Sequence, residues 1–277
     1  MKRAFVIGHP IAHSRSPLIH GHWLKSYAID GTYEAIDVAP ATLPDFIARL
    51  RTGEFVGGNC TIPHKEAVFS LCDALSESAD VIGAVNTLAM DGDRLLGDNT
   101  DWSGFLANLD EHAPGWSSNL GDVVVLGAGG AARGVLLALA LRRPAALHLL
   151  NRTLSRAQTL AAELGPDIGA AINAHPLEDF ASLAPRAALV VNTSAMGMHG
   201  DDTPVLDLAG LRRNALVTDI VYSPLVTPLL AAAQARGLAT VDGLGMLLHQ
   251  AVPGFARWFG IVPEVTPQLR RLVEESL

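Results

Sequence analysis

Short apolar runs alternate with stretches of helical periodicity along most of the chain. Residues 4–7 read as a strand, 17–26 as a helix and 33–38 as a second strand, followed by an amphipathic helix over 44–50 and a short strand at 54–56. Strand–helix–strand alternation of this kind favours a parallel sheet covered by helices. Residues 86–89 and 94–96, joined by Asp91-Gly92-Asp93, fit a hairpin. Beyond Trp102 a helix over 103–109 and a Pro114-Gly115 loop lead into a second round of alternation. Strands are predicted at 123–126 and 146–150, with helices at 131–141 and 154–164. Further strands fit at 188–191, 216–218 and 239–241, and the chain is mostly helical from Gly245 onward. The expected fold class is therefore α/β in two domains, with a boundary near residue 102. The C-terminal helices could pack on either domain.

Composition narrows the class of function. Of 277 residues, 49% are hydrophobic and only 17% charged, which supplies a substantial core and excludes wholesale disorder. A net charge of −8 disfavours binding to nucleic acid or to an anionic membrane surface. The apolar run between Arg133 and Arg142 is eight residues with its glycine counted, and no apolar run reaches the roughly 20 that a membrane-spanning helix needs. The four apolar residues after Arg3 are shorter than the apolar region of a signal peptide. Cys60 and Cys72 form no CxxC pair or disulfide framework and read as ordinary thiols of a reducing compartment. A cytoplasmic protein that handles a small molecule is expected, and the ten histidines include no pair spaced for a metal on a helix face.

The second half carries a phosphate-binding pattern. Gly127-Ala128-Gly129-Gly130-Ala131-Ala132 fits G-x-G-x-x-A between a strand and a helix. There, glycines let the backbone approach a pyrophosphate whose charge rests on the helix N-terminus. An NAD site places an acidic residue at the end of the next strand to accept from the ribose 2′-hydroxyl. This chain has Asn151-Arg152-Thr153 and then Arg156. Two guanidiniums without a carboxylate suit a 2′-phosphate, and hence NADP. Cations at a helix start oppose the macrodipole, so plain decoration of the helix is the weaker reading.

The first half carries polar turns in apolar surroundings. Ser14-Arg15-Ser16-Pro17 precedes a helix, so either serine could be an N-cap or could bind a substrate carboxylate. Lys65, at the end of Asn59-Cys60-Thr61-Ile62-Pro63-His64-Lys65, is one of only three lysines beside 17 arginines. Arginine could not replace it in proton transfer, since guanidinium stays protonated. Gly83-Ala84-Val85-Asn86-Thr87 and Gly97-Asp98-Asn99-Thr100-Asp101 flank the hairpin. Local backbone capping explains some of these side chains but not their clustering.

Taken in order, these motifs resemble the shikimate dehydrogenase family over nearly the whole chain. Asp242-Gly243-Leu244-Gly245-Met246 through Gln250 completes the set. The resemblance implies a substrate-binding and catalytic domain over residues 1–102 and an NADP-binding Rossmann-type, doubly wound domain over 103–242. A helical segment, 243–277, would return to the first. It also implies NADPH-dependent reduction of 3-dehydroshikimate to shikimate, a step of aromatic amino-acid biosynthesis. In that reading Ser14 and Ser16, helped by Tyr222, bind the substrate carboxylate, while Thr61, Asn86, Asp101 and Gln250 bind ring hydroxyls. Lys65 is the acid/base, held by Asp101. The loop Gly127 to Ala132 and the stretch Asn151 to Arg156 hold NADP, Ile220 and Gly243 lie near the nicotinamide, and a contact from Glu77 is implied.

The sequence departs from the family pattern at Trp102, where Gly is common, and at His64, where Phe is often seen. Ser223 stands in place of Asn and Cys60 in place of Val. A broader quinate/shikimate or aminoshikimate dehydrogenase is the neighbouring enzyme reading. A non-catalytic NADP-sensing homologue would have lost the need for Lys65 and Asp101. A monomer or a homodimer is compatible with the sequence.

Overall fold

A computed structural model describes residues 1–198 and 206–277. The chain divides into two compact units, one of residues 1–101 and 248–276, the other of 102–247 with the terminal Leu277. In order, the first unit holds β1 (Lys2–Gly8), α1 (Ser16–Ser26), β2 (Gly31–Asp37), α2 (Leu43–Arg51), β3 (Gly57–Cys60) and α3 (Lys65–Phe69). It continues with β4 (Ala74–Leu75), α4 (Glu77–Ile82), β5 (Thr87–Asp91) and β6 (Arg94–Asp98), and α5 (Asp101–His112) starts at the division. The six strands lie in the order β2-β1-β3-β5-β6-β4. β1 runs parallel to β2 and β3, whereas β5 is antiparallel to both β3 and β6. This sheet is thus mixed rather than parallel, because the hairpin inserts two reversals.

The strand expected at 54–56 lies instead at β3, 57–60. Gly-Gly-Asn-Cys has no β-branched residue, and pairing with β1 and β5 imposes the strand despite its low propensity. The glycines are required by packing: a Cβ at Gly57 would stand 2.3 Å from Trp258 Nε1, and one at Gly58 2.6 Å or less from the Phe5 ring. Trp258 belongs to α10 (Leu244–Phe259), which rejoins this unit at Leu248, and its indole N–H donates to Leu88 O at 2.8 Å. Phe255, Trp258 and Phe259 are all buried core residues. The last helix, α11 (Pro267–Glu274), is capped by Thr266 Oγ1, which accepts from Leu269 N.

His20 of α1 lies wholly buried among these rings, stacked on Tyr33 with centroids 3.9 Å apart, and neither ring nitrogen has a hydrogen-bond partner. Burial pushes its pKa from 6.5 down to about 3, and the nearby Asn59 amide offsets little of that. The unfolded chain therefore binds a proton in this window that the folded chain refuses, so stability falls as pH drops below 6.5. From about pH 7 to about pH 5 this one residue should remove ~2 kcal/mol. Urea unfolding at both pH values tests it: His20→Phe should be less pH-sensitive by that amount, and an unchanged slope would refute the assignment.

The second unit holds β7 (Asp122–Leu126), α6 (Gly130–Leu141), β8 (Ala146–Asn151), α7 (Leu154–Asp167), β9 (Ile172–Pro176) and α8 (Phe180–Leu183). These are followed by β10 (Ala187–Asn192), β11 (Leu216–Asp219), α9 (Pro228–Ala235) and β12 (Ala239–Val241). All six strands are parallel, in the order β12-β11-β10-β7-β8-β9. β7 reads Val-Val-Val-Leu over 123–126 because both its faces are buried. The strand order reverses between β7 and β10, the position at which doubly wound sheets bind ligands. β9 escapes sequence prediction because it is an edge strand of Ile, Asn, Ala, His and Pro with no apolar alternation. Among the described residues no helix is long and apolar enough to cross a membrane.

Candidate active site

In the first unit the carboxyl ends of β1 and β3 bring two loops together. Thr61 N donates to Ile7 O at 2.9 Å and His9 N to Ile62 O at 3.1 Å. A Cβ on Gly8 would sit 2.7 Å from Thr61 Cγ2, so the loops can approach this closely only with glycine there. Ser14 is half-buried and Ser16, the first residue of α1, is buried. Arg15 occupies the N-cap position without a side-chain cap, so neither serine serves as the helix cap that the sequence leaves open. Ser14 Oγ instead accepts from Ser16 N at 3.3 Å. Arg15 reaches the Ser276 carbonyl and ties this loop to the chain's end.

Lys65 opens α3, and Val85 N donates to its carbonyl at 2.9 Å, which fixes the helix start against the turn before β5. Its ammonium donates to Asp101 Oδ2 at 2.6 Å, with the two side chains 20% and 10% exposed. The other carboxylate oxygen, Oδ1, accepts from Asn86 Nδ2 at 2.8 Å. Asp101 N donates to Asn99 Oδ1, and Thr100 Oγ1 donates to the Gln250 carbonyl at 2.8 Å. Lys65, Asp101, Asn86, Thr100 and the Gln250 carbonyl are therefore linked within the one unit that also holds Thr61. A half-buried ammonium oriented by a carboxylate can give a proton to a developing oxyanion and recover one from water.

Tyr222, Ile220 and Gly243 lie in the second unit. Asp219 accepts from both Asn192 Nδ2 and Val221 N and from Thr227 Oγ1 at 2.8 Å, which pins the loop bearing Ile220 and Tyr222. Burial raises the Asp219 carboxyl above the ordinary value, with these donors opposing the rise. A Cβ on Gly243 would lie 2.4 Å from Ile220 O, so backbone meets backbone there. Asn192, Asp219 and Thr227 escape the sequence reading. The signal for Asn192 and Asp219 is polarity at the end of an apolar strand, and that for Thr227 is its place as N-cap before Pro228 at the start of α9.

The glycine loop follows β7. Gly127, at φ +99°, packs on Ser194, whereas Cβ positions on Gly129 and Gly130 face open space. Ala128, Ala131 and Ala132 continue into α6, whose N-cap Gly129 offers no side-chain cap to the helix N–H groups. At the end of β8, Asn151 Nδ2 donates to Thr153 O at 2.9 Å, shaping the turn that exposes Arg152 and Arg156. Neither arginine makes an ion pair or side-chain hydrogen bond among the described residues, while Arg3, Arg49, Arg51 and Arg142 are all paired. Open glycines, uncapped N–H groups and two unpaired guanidiniums fit a dinucleotide with a further phosphate. Glu77 lies in the first unit, exposed at the start of α4.

Two family models match this chain. The family described as "Shikimate dehydrogenase substrate binding domain" matches residues 6–88, and "Shikimate / quinate 5-dehydrogenase" matches residues 113–245. A curated relative from Mesorhizobium japonicum, named shikimate dehydrogenase (NADP(+)), is 56% identical over 276 residues, covering 100% of this chain and 97% of its own. This chain belongs to the shikimate dehydrogenase family. The shikimate 5-dehydrogenase of Thermus thermophilus, solved with NADP(H) and shikimate, is 36% identical with a TM-score of 0.88, and each chain is covered in full. The quinate dehydrogenase of Corynebacterium glutamicum, solved with NAD, is 33% identical with a TM-score of 0.91, covering 100% and 99%.

Against the shikimate dehydrogenase pattern the unusual residues have local explanations in part. His64 is buried with Nε2 2.7 Å from Val38 O, so it anchors α3 to the end of β2. Cys60 is buried, and burial pushes its thiol well above the ordinary value, leaving it inert. Ser223 precedes a cis Pro224. Trp102 is half-buried in the first turn of α5, and nothing in the structure explains its replacement of glycine.

Proposed function

We propose that this chain is an NADP-dependent shikimate dehydrogenase that reversibly reduces 3-dehydroshikimate to shikimate, a step of aromatic amino-acid biosynthesis. The observation that carries the reading is the Lys65–Asp101 pair, held at 2.6 Å and half-buried in a member of this family. Residues 1–102 form the substrate-binding and catalytic domain, 103–242 bind NADP, and 243–277 return to the first. Ser14 and Ser16, with Tyr222, bind the substrate carboxylate. Thr61, Asn86, Asp101 and Gln250 bind the ring hydroxyls and orient the ketone. The residues Gly127 to Ala132, together with Asn151, Arg152, Thr153 and Arg156, hold NADP; Ile220 and Gly243 border its nicotinamide.

NADPH, when bound, supplies the hydride. Lys65 Nζ donates a proton to the carbonyl oxygen as negative charge develops there, and the resulting amine is reprotonated from solvent. In the reverse direction the neutral amine takes the hydroxyl proton. Asp101 keeps the ammonium aimed and balances its charge. The chain acts in the cytoplasm on a small molecule, as a monomer or homodimer, without nucleic-acid or membrane partners.

The test is product identification. Purified protein incubated with 3-dehydroshikimate and NADPH should yield shikimate, one mole for each mole of NADPH consumed. Absence of NADPH consumption by folded protein would overturn the proposal. The likeness to a quinate dehydrogenase makes quinate the substrate to compare.

A further inference from the structure

We infer that Asn59, supported by Tyr33 and Thr87, is a positioning residue that sets the orientation of the Lys65–Asp101 pair through a buried one-way chain of hydrogen bonds. Asn59, Tyr33, Thr87, Asn86 and Thr100 are all buried. The direction of every bond follows from two groups that can only accept. Asn59 Nδ2 lies 3.1 Å from the Asn86 carbonyl, so this end of the Asn59 amide must donate. Its Oδ1 end therefore faces the Tyr33 hydroxyl at 2.6 Å, which must donate to it. The second hydrogen on Asn59 Nδ2 goes to Thr87 Oγ1 at 3.1 Å, leaving the Thr87 hydroxyl to donate to Asn86 Oδ1 at 2.8 Å.

The same logic fixes Asn86. Asp101 Oδ1 can only accept, so the Asn86 amide presents Nδ2 to it at 2.8 Å. Its other hydrogen meets Thr100 Oγ1 at 3.1 Å, and its Oδ1 also receives Thr100 N at 2.9 Å. Thr100 Oγ1 has its own hydrogen committed to the Gln250 carbonyl. Both amide groups are thereby satisfied and neither can flip without placing donor against donor or acceptor against acceptor. The chain runs Tyr33, Asn59, Thr87, Asn86, Asp101, and Lys65 closes it from the far side.

Asn59, Tyr33 and Thr87 touch neither Lys65 nor Asp101 directly in this chain of bonds; they act by holding Asn86 in place at its carbonyl and its Oδ1, in addition to the bonds from Asp101 and Thr100 that orient its amide. The inference rests on the reading of Lys65 and Asp101 as the acid/base pair. It is tested with Asn59→Ala, Tyr33→Phe and the isosteric Thr87→Val, each checked for folding by circular dichroism. Two quantities are read: kcat and KM for shikimate and NADP, and the Cε–Hε cross-peaks of 13C-lysine-labelled protein at fixed pH. With only three lysines in the chain the Lys65 peak is readily assigned.

Asn59→Ala should lose about tenfold or more in kcat, towards the ~100-fold that an ångström of misplacement brings, with KM for NADP unchanged. The two milder variants should lose less in the same direction. In each, the Lys65 peak should move while that of Lys25 stays. Wild-type kcat in folded variants, or a kcat loss with an unmoved Lys65 peak, would overturn the inference. Should Asn59→Ala fail to fold, Tyr33→Phe and Thr87→Val decide, since each removes a single hydroxyl from the chain of bonds. An inactive wild type would refute the proposed activity, and the Lys65 peak would still report whether Asn59 positions the ammonium.

Discussion

Lys65→Ala is expected to lower kcat by about 10²- to 10⁴-fold while leaving the affinity for shikimate near that of the unaltered protein. The ammonium stands 2.6 Å from Asp101 and is still one-fifth exposed, so it can meet both a substrate oxygen and solvent. In the proposed mechanism its removal deletes the proton donor for the developing oxyanion but leaves the proposed binding residues Ser14, Ser16, Thr61 and Gln250 in place. The loss should therefore fall on the chemical step. Steady-state rates with titration of shikimate separate the two effects: a variant with near-normal turnover contradicts the acid/base role, and a loss confined to KM makes Lys65 a binding group.

Arg152→Ala should weaken NADP by about 10- to 100-fold, the equivalent of ~1.5–3 kcal/mol for charge-assisted hydrogen bonds to a phosphate. NAD, which lacks the 2′-phosphate, should be affected far less. Arg152 is exposed beside β8 without an acidic partner among the described residues, in a chain whose other arginines are commonly paired. Arg156, in the first turn of α7, is placed to share the load, so a double variant should lose more than either single one. Dissociation constants for the two dinucleotides, measured by titration, provide the check. Equal weakening of both would mean that Arg152 does not read the 2′-phosphate.

The parts of the fold that the sequence reveals are those whose burial is regular. β7, α6, β8 and α7 announce themselves because four consecutive buried residues in β7 and a glycine turn leave little alternative. β3 misleads because its four residues are chosen for what presses on them: Phe5 and Trp258 exclude side chains at positions 57 and 58. No local propensity records a contact such as that of Gly57 with Trp258, about 200 residues away. β9 hides for the opposite reason, since an edge strand need not be apolar. The short helices α3 and α4, at 65–69 and 77–82, fall below the length over which a period can be read.

Within the site, Lys65 and Asp101 are visible as unusual residues in polar turns, 36 positions apart. Their contact follows from the pairing of β3, β5 and β6, which no single motif encodes. The Asn59 amide is harder still to see, because an asparagine near a turn usually serves its own backbone. Only the burial of the linked side chains of Tyr33, Asn59, Thr87, Asn86 and Asp101 distinguishes it. Asp219 is hidden in the same way, one polar residue closing an apolar strand.

The most direct test is absorbance at the reduced-nicotinamide band with purified protein, crossing shikimate and quinate against NADP and NAD. Rapid reduction of NADP with shikimate, and much slower reduction in the other three pairings, is the expected result. Comparable rates with quinate would contradict a shikimate-specific enzyme and place the chain among the broader dehydrogenases. No reduction in any pairing, with NADP still bound, would contradict catalysis altogether.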